Sequence, residues 1–233
     1  MDIAGSTALV TGANRGLGRE FARQLVERGA TVYAGARDVA SVDLPGVVPV
    51  AIDITDEASV RAAAELATDV TLLVNNAGVD THTSLLDGSL DEARREMDTH
   101  YFGTLAVVRA FAPQLTARGG AVLNVLSVLS WVSFAGNGAY CAAKSAEWSL
   151  TNALRQELAP RGVGVTALHV GYMDTDMARH VSAAKSSPAD VARLALDGVE
   201  AGLPEVLADE ISRQVQAGLA GGVPALYPQL TPA

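Results

Sequence analysis

Short apolar runs that are rich in β-branched residues alternate with amphipathic helical stretches along this chain of 233 residues. Strands of this apolar character are usually buried on both faces, as in a parallel sheet that is covered by helices. The alternation therefore predicts an α/β fold, with a doubly wound parallel sheet, helices on both of its faces and right-handed crossovers. The predicted strands are Thr7–Val10, Thr31–Ala34, Val47–Ile52, Leu72–Val74, Ala121–Val125, Val163–His169 and Glu205–Leu207.

The predicted helices fill the intervals between these strands, and Gly29 and Pro188 mark the end of the first and the start of the last. The chain length suits one domain over residues 1–233, since α/β domains reach roughly 250 residues in one piece. Two segments look less regular, and we expect a mobile lid at about 176–187 and an irregular tail at about 218–233. The predicted helices are Leu17–Arg28, Asp56–Ala67, Leu90–Arg118, Gly138–Leu158 and Ala189–Ala201.

The composition excludes several classes of partner. The formal net charge is −9, and an acidic surface repels phosphate backbones, so we expect no nucleic-acid partner. No apolar run reaches the roughly 18 residues of a membrane helix, and the N-terminus lacks the basic region of a signal peptide. The single cysteine, Cys141, cannot form a disulfide within the chain. We therefore expect a cytoplasmic protein without a membrane partner.

A glycine-rich loop follows the first predicted strand directly and opens a helix. Its sequence, TGANRGLG, places Gly12, Gly16 and Gly18 in the spacing G-x-x-x-G-x-G. Glycine tolerates positive φ and lets the backbone approach a ligand, while a helix N-terminus offers unpaired N–H groups to a phosphate. The pattern is a variant of the dinucleotide-binding fingerprint. A tight turn without a ligand is the alternative.

The end of the second predicted strand bears on which nicotinamide cofactor binds. Sites for NAD usually place a carboxylate there, which accepts a hydrogen bond from the ribose 2′-OH. Here Ala36 occupies that position and Arg37 follows it, while Arg15 adds a second cation from the glycine loop. Both arginines would favour the 2′-phosphate of NADP(H) over NAD(H). A register shift would bring Asp38 to the ribose instead, and both arginines could simply be solvated surface charges.

Three polar residues form a candidate catalytic group. Tyr140 and Lys144 lie four residues apart on one face of a predicted helix, and Ser127 follows the Ala121–Val125 strand. A free tyrosine has a pKa of about 10, and a neighbouring cation favours its phenolate. The spacing Y-x-x-x-K by itself occurs by chance on many helices.

Taken in order, the glycine loop, Asp53-Ile54, the NNAG sequence of Asn75–Gly78, Ser127 and the YCAAK sequence resemble the motifs of the short-chain dehydrogenase/reductase family, in its shorter, single-domain branch. The resemblance runs from Thr7 to about Met177. It implies a Rossmann-type sheet, with Tyr140 as the general acid in reduction and the general base in oxidation. It also implies that Lys144 binds the nicotinamide ribose and lowers the pKa of Tyr140, and that Ser127 orients the substrate carbonyl.

The same resemblance implies a set of cofactor-binding positions. The VGYMDTDM sequence is similar to the family's Pro-Gly segment after the sixth strand, where three residues would face the nicotinamide carboxamide and the phosphates. The implied cofactor-binding residues are Gly12, Asn14, Arg15, Gly16, Leu17, Gly18, Arg37, Asp53, Ile54, Asn76, Ala77, Gly78, Tyr140, Lys144, Gly171, Met173 and Thr175.

Two positions depart from the family pattern. His100 stands where the family usually has a fourth catalytic member, an asparagine that helps to hold a water linked to the lysine. His100 could keep that role, act as a proton relay because histidine titrates near neutral pH, or be a buried hydrogen-bonded replacement. Val170 replaces the usual proline, which would leave the nicotinamide end of the site looser.

The expected function is an NADP(H)-dependent oxidoreductase that reduces a ketone or aldehyde to an alcohol, or catalyses the reverse, in a homo-oligomer (dimer or tetramer). We expect a small hydrophobic substrate and no metal, because the histidines lack ligand spacing. The alternatives are a catalytically weakened NADP-binding sensor, a structural subunit, and an epimerase or dehydratase of the family's extended branch. The candidate pocket residues are Trp131, Val132, Phe134, Tyr172, Met173 and Met177.

Overall fold

The computed structural model describes residues 1–230, which contain one sheet of seven parallel strands. The strand order β3-β2-β1-β4-β5-β6-β7 reverses direction between β1 and β4, so the sheet is doubly wound as the sequence predicts. The strands are β1 (Thr7–Thr11), β2 (Thr31–Ala36), β3 (Val47–Ala51), β4 (Leu72–Asn75), β5 (Ala121–Val125), β6 (Gly164–His169) and β7 (Glu205–Leu207).

Eight α-helices accompany the strands in residues 1–230. Where the sequence predicts an element, the observed ends agree within two residues, apart from the long helix predicted over Leu90–Arg118, which is discussed below. The helices are α1 (Gly16–Glu27), α2 (Glu57–Leu66), α3 (Leu90–Met97), α4 (Thr104–Arg118), α5 (Gly138–Leu158), α6 (Pro188–Glu200), α7 (Glu210–Gly218) and α8 (Gly222–Leu226).

Two apolar layers, one on each face of the sheet, form the core. On one face, Phe21 and Leu25 of α1 and Leu196 of α6 are fully buried against the strands. On the other face, α2, α4 and α5 cover the sheet, and Phe111 and Leu115 of α4 are fully buried there. The central strands are therefore covered on both sides, which explains their continuous apolar sequences.

The prediction that every strand is buried on both faces is wrong for β3. In Val47–Ala51 only Val50 is fully buried, and Val48 is exposed. The strand lies at the edge of the sheet and pairs only with β2, so its outer face has less cover. Apolar sequence alone does not separate an edge strand from a central one.

The long helix predicted over Leu90–Arg118 is interrupted. The helices α3 and α4 are joined by a π-helical segment, Asp98–Gly103, which contains His100. Such wide turns are rare and occur often at functional sites. No residue pattern in the sequence marks this segment, because the stretch as a whole has helical character.

The prediction of an irregular tail over 218–233 is wrong within the described residues. After α7 the chain forms a short 3-10 turn, then α8, then a further turn at Pro228–Leu230. The Tyr227 hydroxyl accepts a hydrogen bond from the Ser133 backbone N–H at 2.8 Å, and Leu226 packs on an apolar cluster that includes Cys141. These apolar contacts order a segment whose glycines and prolines suggested a loop. Residues 231–233 lie outside the described part.

The predicted lid has little regular structure. Asp176–Ala178 forms a single 3-10 turn, and Met173 and Ser186 are joined by an isolated bridge. Its mobility stays a prediction. Across residues 1–230, no helix combines the length and the apolarity needed to cross a membrane.

Candidate active site

A cavity of about 1050 Å³ opens along the carboxyl ends of the parallel strands. Small-molecule sites in proteins typically occupy roughly 300–1,000 Å³, so this cavity has room for a large cofactor together with a substrate. The structure brings together all the predicted catalytic and cofactor-binding residues, because each of them lines this one cavity. Their individual roles stay predictions.

The glycine loop connects β1 to α1 in a conformation that requires glycine. Gly12 and Gly16 have φ of +66° and +54°, in the left-handed region. At Gly18, an added Cβ would lie 2.1 Å from the carbonyl oxygen of Gly12. The first turn of α1 has no side-chain cap and no acidic residue, so its N–H groups are available to an anion.

Hydrogen bonds between Thr11, at the end of β1, and Asn76, directly after β4, hold this loop in place. The Asn76 side-chain amide donates to the carbonyl oxygens of Thr11 and Gly12, at 2.9 and 3.3 Å. The Thr11 hydroxyl accepts from the backbone N–H groups of Asn76 and Ala77 and donates to the carbonyl of Val74. The NNAG motif thus acts as a clamp on the glycine loop.

The region after β2 presents one cation and one carboxylate to the cavity. Arg37 is exposed and forms no ion pair with another described residue, whereas Asp38 already accepts a hydrogen bond from the N–H of Ala40 at 3.0 Å. At neighbouring Asp53, burial acts to raise the carboxyl pKa, but two hydrogen bonds from Thr55 and the charge of Arg37 more than offset it. Asp53 therefore stays ionised at neutral pH.

The second predicted cofactor cation, Arg15, faces a carboxylate of the lid segment. Its guanidinium lies 3.5 Å from Asp176, and both side chains are largely exposed. Exposed pairs of this kind contribute roughly 0–1 kcal/mol, so an anionic ligand could displace Asp176 readily. Thr175, the preceding residue, packs next to Gly16, which brings the lid segment against the glycine loop.

Ser127 follows β5 and caps a short 3-10 turn. Its Oγ accepts a hydrogen bond from the N–H of Leu129 at 3.1 Å, so the hydroxyl proton is left to donate. Its own N–H donates to Ser130 Oγ, and the Ser127 carbonyl oxygen lies 3.2 Å from Nδ1 of buried His169. These contacts fix the serine backbone and point a free donor into the cavity.

Tyr140 and Lys144 lie one turn apart on α5, as their spacing predicts. The Lys144 ammonium is 5.8 Å from the centre of the Tyr140 ring. Lys144 is nearly fully buried and donates to the Val125 carbonyl at 2.8 Å and to Glu147 Oε2 at 2.7 Å. The lysine is therefore already paired with a carboxylate of the same helix.

This pairing places a negative charge beside the lysine on which the sequence argument relies. Burial, and then the negative charges of Asp80, Glu147 and Glu96, raise the pKa of the Tyr140 phenol well above its ordinary value. The groups of this chain by themselves thus act against a phenolate, and the lowering of that pKa by Lys144 together with an oxidised nicotinamide ring stays a prediction. The sequence offered one signal for the pairing of Lys144 with Glu147, namely a carboxylate three residues after the lysine on a largely apolar helix.

His100 occupies a fully buried position beside the other catalytic candidates. Its ring meets the Tyr140 ring edge-on, with 5.2 Å between the ring centres, and Nε2 lies 2.7 Å from the carbonyl oxygen of Val79. At Gly78 a Cβ would come within 2.8 Å of the imidazole, so only glycine leaves room for it. His100 also lies within 4 Å of two buried carboxylates, Glu96 and Glu147.

The walls of the remaining cavity are largely apolar, as predicted for most positions. Val132, Phe134, Tyr172, Met173 and Met177 all line it, and Ile211 and Val215 of α7 are additions that the sequence did not reveal.

Trp131 is a correction, because it does not line the cavity. Its ring stacks on the buried imidazole of His169, with 3.8 Å between the ring centres. Both side chains thus pack against each other outside the cavity. The order of residues after Ser127 does not predict which of them face the cavity.

The segment after β6 is held tightly although valine replaces proline. Val170 is buried, and its carbonyl oxygen accepts a hydrogen bond from the N–H of Val128 at 3.0 Å. The N–H of Gly171 donates to Asp209 Oδ2 at 2.6 Å. These contacts hold the segment without a proline, and the looser nicotinamide end stays a prediction. Among residues 1–230, no three His, Cys, Asp or Glu side chains gather as a metal site would require.

Comparison with known proteins gives a consistent result. A family model described as short chain dehydrogenase matches residues 6–186. The NADPH-dependent 1-acyldihydroxyacetone phosphate reductase of Schizosaccharomyces pombe is 35% identical over 176 residues, which cover 72% of this chain but only 60% of that relative. Carbonyl reductase (NADPH) 2 of Sus scrofa is 34% identical over 190 residues, which cover 78% of each protein.

A solved structure is similar over the whole length. A short chain dehydrogenase from Burkholderia cenocepacia J2315, in complex with NADP, is 41% identical with a TM-score of 0.95, and the match covers 100% of both chains. The similarity therefore extends through the C-terminal helices, beyond the part that the family model covers.

The close contact at Gly18 predicts the effect of a single added methyl group. Gly18→Ala forces the glycine loop away from Gly12 and Asn76, and we expect it to lower the unfolding free energy by about 1–3 kcal/mol. NADPH affinity, measured by nicotinamide fluorescence, should fall as well. Gly164→Ala is the matched control, since a Cβ there meets no atom within 4 Å. Equal results for both variants would contradict the close packing.

The burial of His169 predicts an acid-sensitive stability. Burial, aided by the positive charges of Lys144 and Arg155, lowers the pKa of His169 to about 4. A histidine in the unfolded chain has a pKa of about 6.5. Between this pH and about 4, the unfolded chain therefore binds a proton at His169 that the native protein does not bind. The unfolding free energy should therefore fall as the pH drops from about 6.5 to about 4, by up to about 3 kcal/mol from this residue.

His169→Gln tests this through urea unfolding at several pH values across that window. The variant should lose much of the acid destabilisation, whereas His180→Gln, at an exposed histidine, should keep it. An unchanged pH slope in His169→Gln would show that other groups cause the acid sensitivity.

Proposed function

Because the chain belongs to the short-chain dehydrogenase/reductase family, we propose that it is an NADP(H)-dependent oxidoreductase that reduces a ketone or aldehyde to an alcohol, or catalyses the reverse. The observation that carries the proposal is the convergence of Ser127, Tyr140 and Lys144 in one cavity with the glycine loop. The nicotinamide-dependent relatives support the cofactor class. Fold similarity supports the class of chemistry but not a particular substrate.

The residues present fit a dinucleotide. The positive-φ glycines and the uncapped start of α1 form a cradle in which a side chain at Gly12 or Gly18 would collide with its surroundings. Arg37, and Arg15 after release from Asp176, would hold the 2′-phosphate that distinguishes NADP(H), and Asp38 is engaged in its own turn. When bound, NADP(H) supplies or accepts the hydride and, in its oxidised form, adds positive charge to the site.

The chain's own residues supply positioning and proton transfer. The free hydroxyl proton of Ser127 orients the carbonyl oxygen of the substrate. Tyr140 donates its proton to that oxygen during reduction and takes it back during oxidation, a step that typically contributes roughly 10²–10⁴-fold to the rate. A raised phenol pKa keeps Tyr140 protonated and thus ready to act as the acid.

The substrate that fits the remaining space is a small, hydrophobic, uncharged carbonyl compound. Val132, Phe134 and Met177 give the cavity apolar walls. Asp80, which accepts a hydrogen bond from Asn137 at 3.3 Å, also lines the cavity, and its negative charge disfavours an anionic substrate. A homo-oligomer, dimer or tetramer, and a cytoplasmic location are further proposals, which rest on the family resemblance.

A catalytically weakened NADP-binding sensor is the second candidate. Two departures from the family pattern suggested this candidate. At the first, Val170, the segment is still held by a backbone hydrogen bond, so His100 is the departure that still favours the sensor. The complete set of Ser127, Tyr140 and Lys144 favours the enzyme.

The enzyme proposal predicts turnover that depends on the Tyr140 hydroxyl. Oxidation of NADPH should be observed with at least one member of a panel of hydrophobic ketones and aldehydes. Tyr140→Phe should lower kcat by roughly 10²-fold or more, since it removes the proton donor, while NADPH affinity stays nearly unchanged. Tyr33→Phe, outside the cavity, is the control and should keep full activity. Full activity of Tyr140→Phe would refute the assignment.

The choice of cofactor predicts a specific loss at Arg37. Arg37→Ala should weaken NADPH binding roughly five- to tenfold, the effect of one partly screened charge pair, and leave NADH binding unchanged. Arg61→Ala, an exposed arginine on α2, is the matched control. Fluorescence titrations with NADPH and NADH measure both affinities. An equal loss of affinity for the two cofactors would mean that Arg37 does not contact a 2′-phosphate.

A further inference from the structure

The buried environment of Lys144 contains a carboxylate that the proposed mechanism does not use. Glu147 is only 2% exposed, and its Oε2 lies 2.7 Å from the lysine ammonium, while Oε1 accepts a hydrogen bond from the Thr104 hydroxyl at 3.0 Å. An ammonium group has three N–H donors. Two are bound to Glu147 and the carbonyl oxygen of Val125, so a single donor is left for the cavity.

His100 connects this pair to a second buried carboxylate. Its Nε2 lies 2.7 Å from the carbonyl oxygen of Val79, which can only accept, so Nε2 carries a hydrogen. Nδ1 is buried without a hydrogen-bond partner and lies 3.7 Å from Glu147 Oε2. When the His100 ring is neutral, Nδ1 therefore carries no hydrogen. It then faces Glu147, the carboxylate that is paired with Lys144. Closing that gap to hydrogen-bonding distance takes a shift of roughly 0.5–1 Å.

Glu96 supplies the remaining charge. Its Oε2 lies 3.4 Å from His100 Nε2 and has no hydrogen-bond partner, and its Oε1 accepts from Thr81. Burial acts to raise the pKa of Glu96, but His100 and Thr81 more than offset this, so the pKa is lowered and Glu96 is an anion. With a proton on Nδ1, the His100 ring would lie between two carboxylates, Glu96 at 3.4 Å and Glu147 at 3.7 Å, and the cluster would then pair two cations with two anions.

The other titratable groups that face the cluster come from three elements. Tyr140 lies on α5 with Lys144 and Glu147, Asp80 follows β4, and His169 lies on β6, where the charge of Lys144 helps to lower its pKa. His169 is neutral near pH 7, so it neither adds nor removes charge there. Asp80 and Tyr140 border the cavity, whereas Glu96 and Glu147 lie behind it.

We propose, on the basis of the proposed reductase function, that Glu147 positions Lys144 and, together with His100, relays a proton to it. After Tyr140 has given a proton to the substrate, Lys144 gives one of its protons to the phenolate and becomes a neutral amine. A protonated His100 then gives its Nδ1 proton to Glu147 Oε2, Glu147 passes a proton to Lys144 Nζ, and the neutral His100 takes up one proton from solvent, so the net change is one proton moved from solvent to the product. No electron moves, and oxidation runs the transfer in reverse.

The test compares wild type with Glu147→Gln, His100→Asn, the double variant and Glu157→Gln, an exposed control on the same helix. For each we would measure kcat in H₂O and D₂O, NADPH affinity, and thermal unfolding. Because loss of a buried partner can prevent folding, Glu147→Asp is made as well, since it keeps the charge but lengthens the gap.

Each single variant should lower kcat roughly tenfold or more and raise the solvent isotope effect, because proton supply becomes rate-limiting. NADPH affinity should stay within about threefold, and the double variant should be no slower than the slower single one, as expected for two parts of one path. Glu147→Asp should fall between wild type and Glu147→Gln. Glu157→Gln should match wild type.

Losses that multiply in the double variant, or an unchanged isotope effect with weaker NADPH binding, would overturn the relay and leave Glu147 a structural residue. These results differ from failure of the proposed function itself. In that case, wild type would neither bind NADPH nor oxidise it with any carbonyl compound.

Discussion

The contact between the glycine loop and the end of β4 sets the geometry of the whole site. The sheet changes direction between β1 and β4, so the loops that leave these strands diverge and open a cleft at the carboxyl edge. Thr11 and Asn76 bridge the two loops with four hydrogen bonds to backbone groups, and the missing side chain at Gly18 permits their close approach. The glycine loop and the residues that the sequence predicts to be catalytic thereby line one cavity.

The second organising element is electrostatic. Lys144, Glu147, His100 and Glu96 form a cluster of ionisable side chains that is almost closed to solvent, in a part of the protein where an unpaired charge is costly. Lys144 and Glu147 form an ion pair at 2.7 Å, and the His100 ring lies within 4 Å of both Glu96 and Glu147. Such a cluster fixes the lysine and makes its charge depend on its neighbours. Burial, and then the charges of Asp80, Glu147 and Glu96, raise the pKa of the neighbouring Tyr140 phenol.

Prediction from sequence was accurate where a pattern has a local cause. The alternation of apolar runs and helices gave the parallel sheet, and the glycine spacing gave the loop, because both depend on residues that are neighbours in the chain. It failed where burial depends on distant partners. The exposed β3 edge, the ordered C-terminal helices and the displaced Trp131 all follow from what packs against a segment, and local sequence contains little of that information.

The sequence by itself determined the family, the order of the strands and helices, and which residues would line the cleft, since each motif follows the end of a strand and parallel strands end at one edge. Only the tertiary structure decided the electrostatic state of that cleft. Glu96, His100 and Glu147 come from two separate helical regions, and they meet because a π-helical segment turns His100 towards α5. Their charges act on Tyr140 through space, over distances that no spacing along the chain specifies.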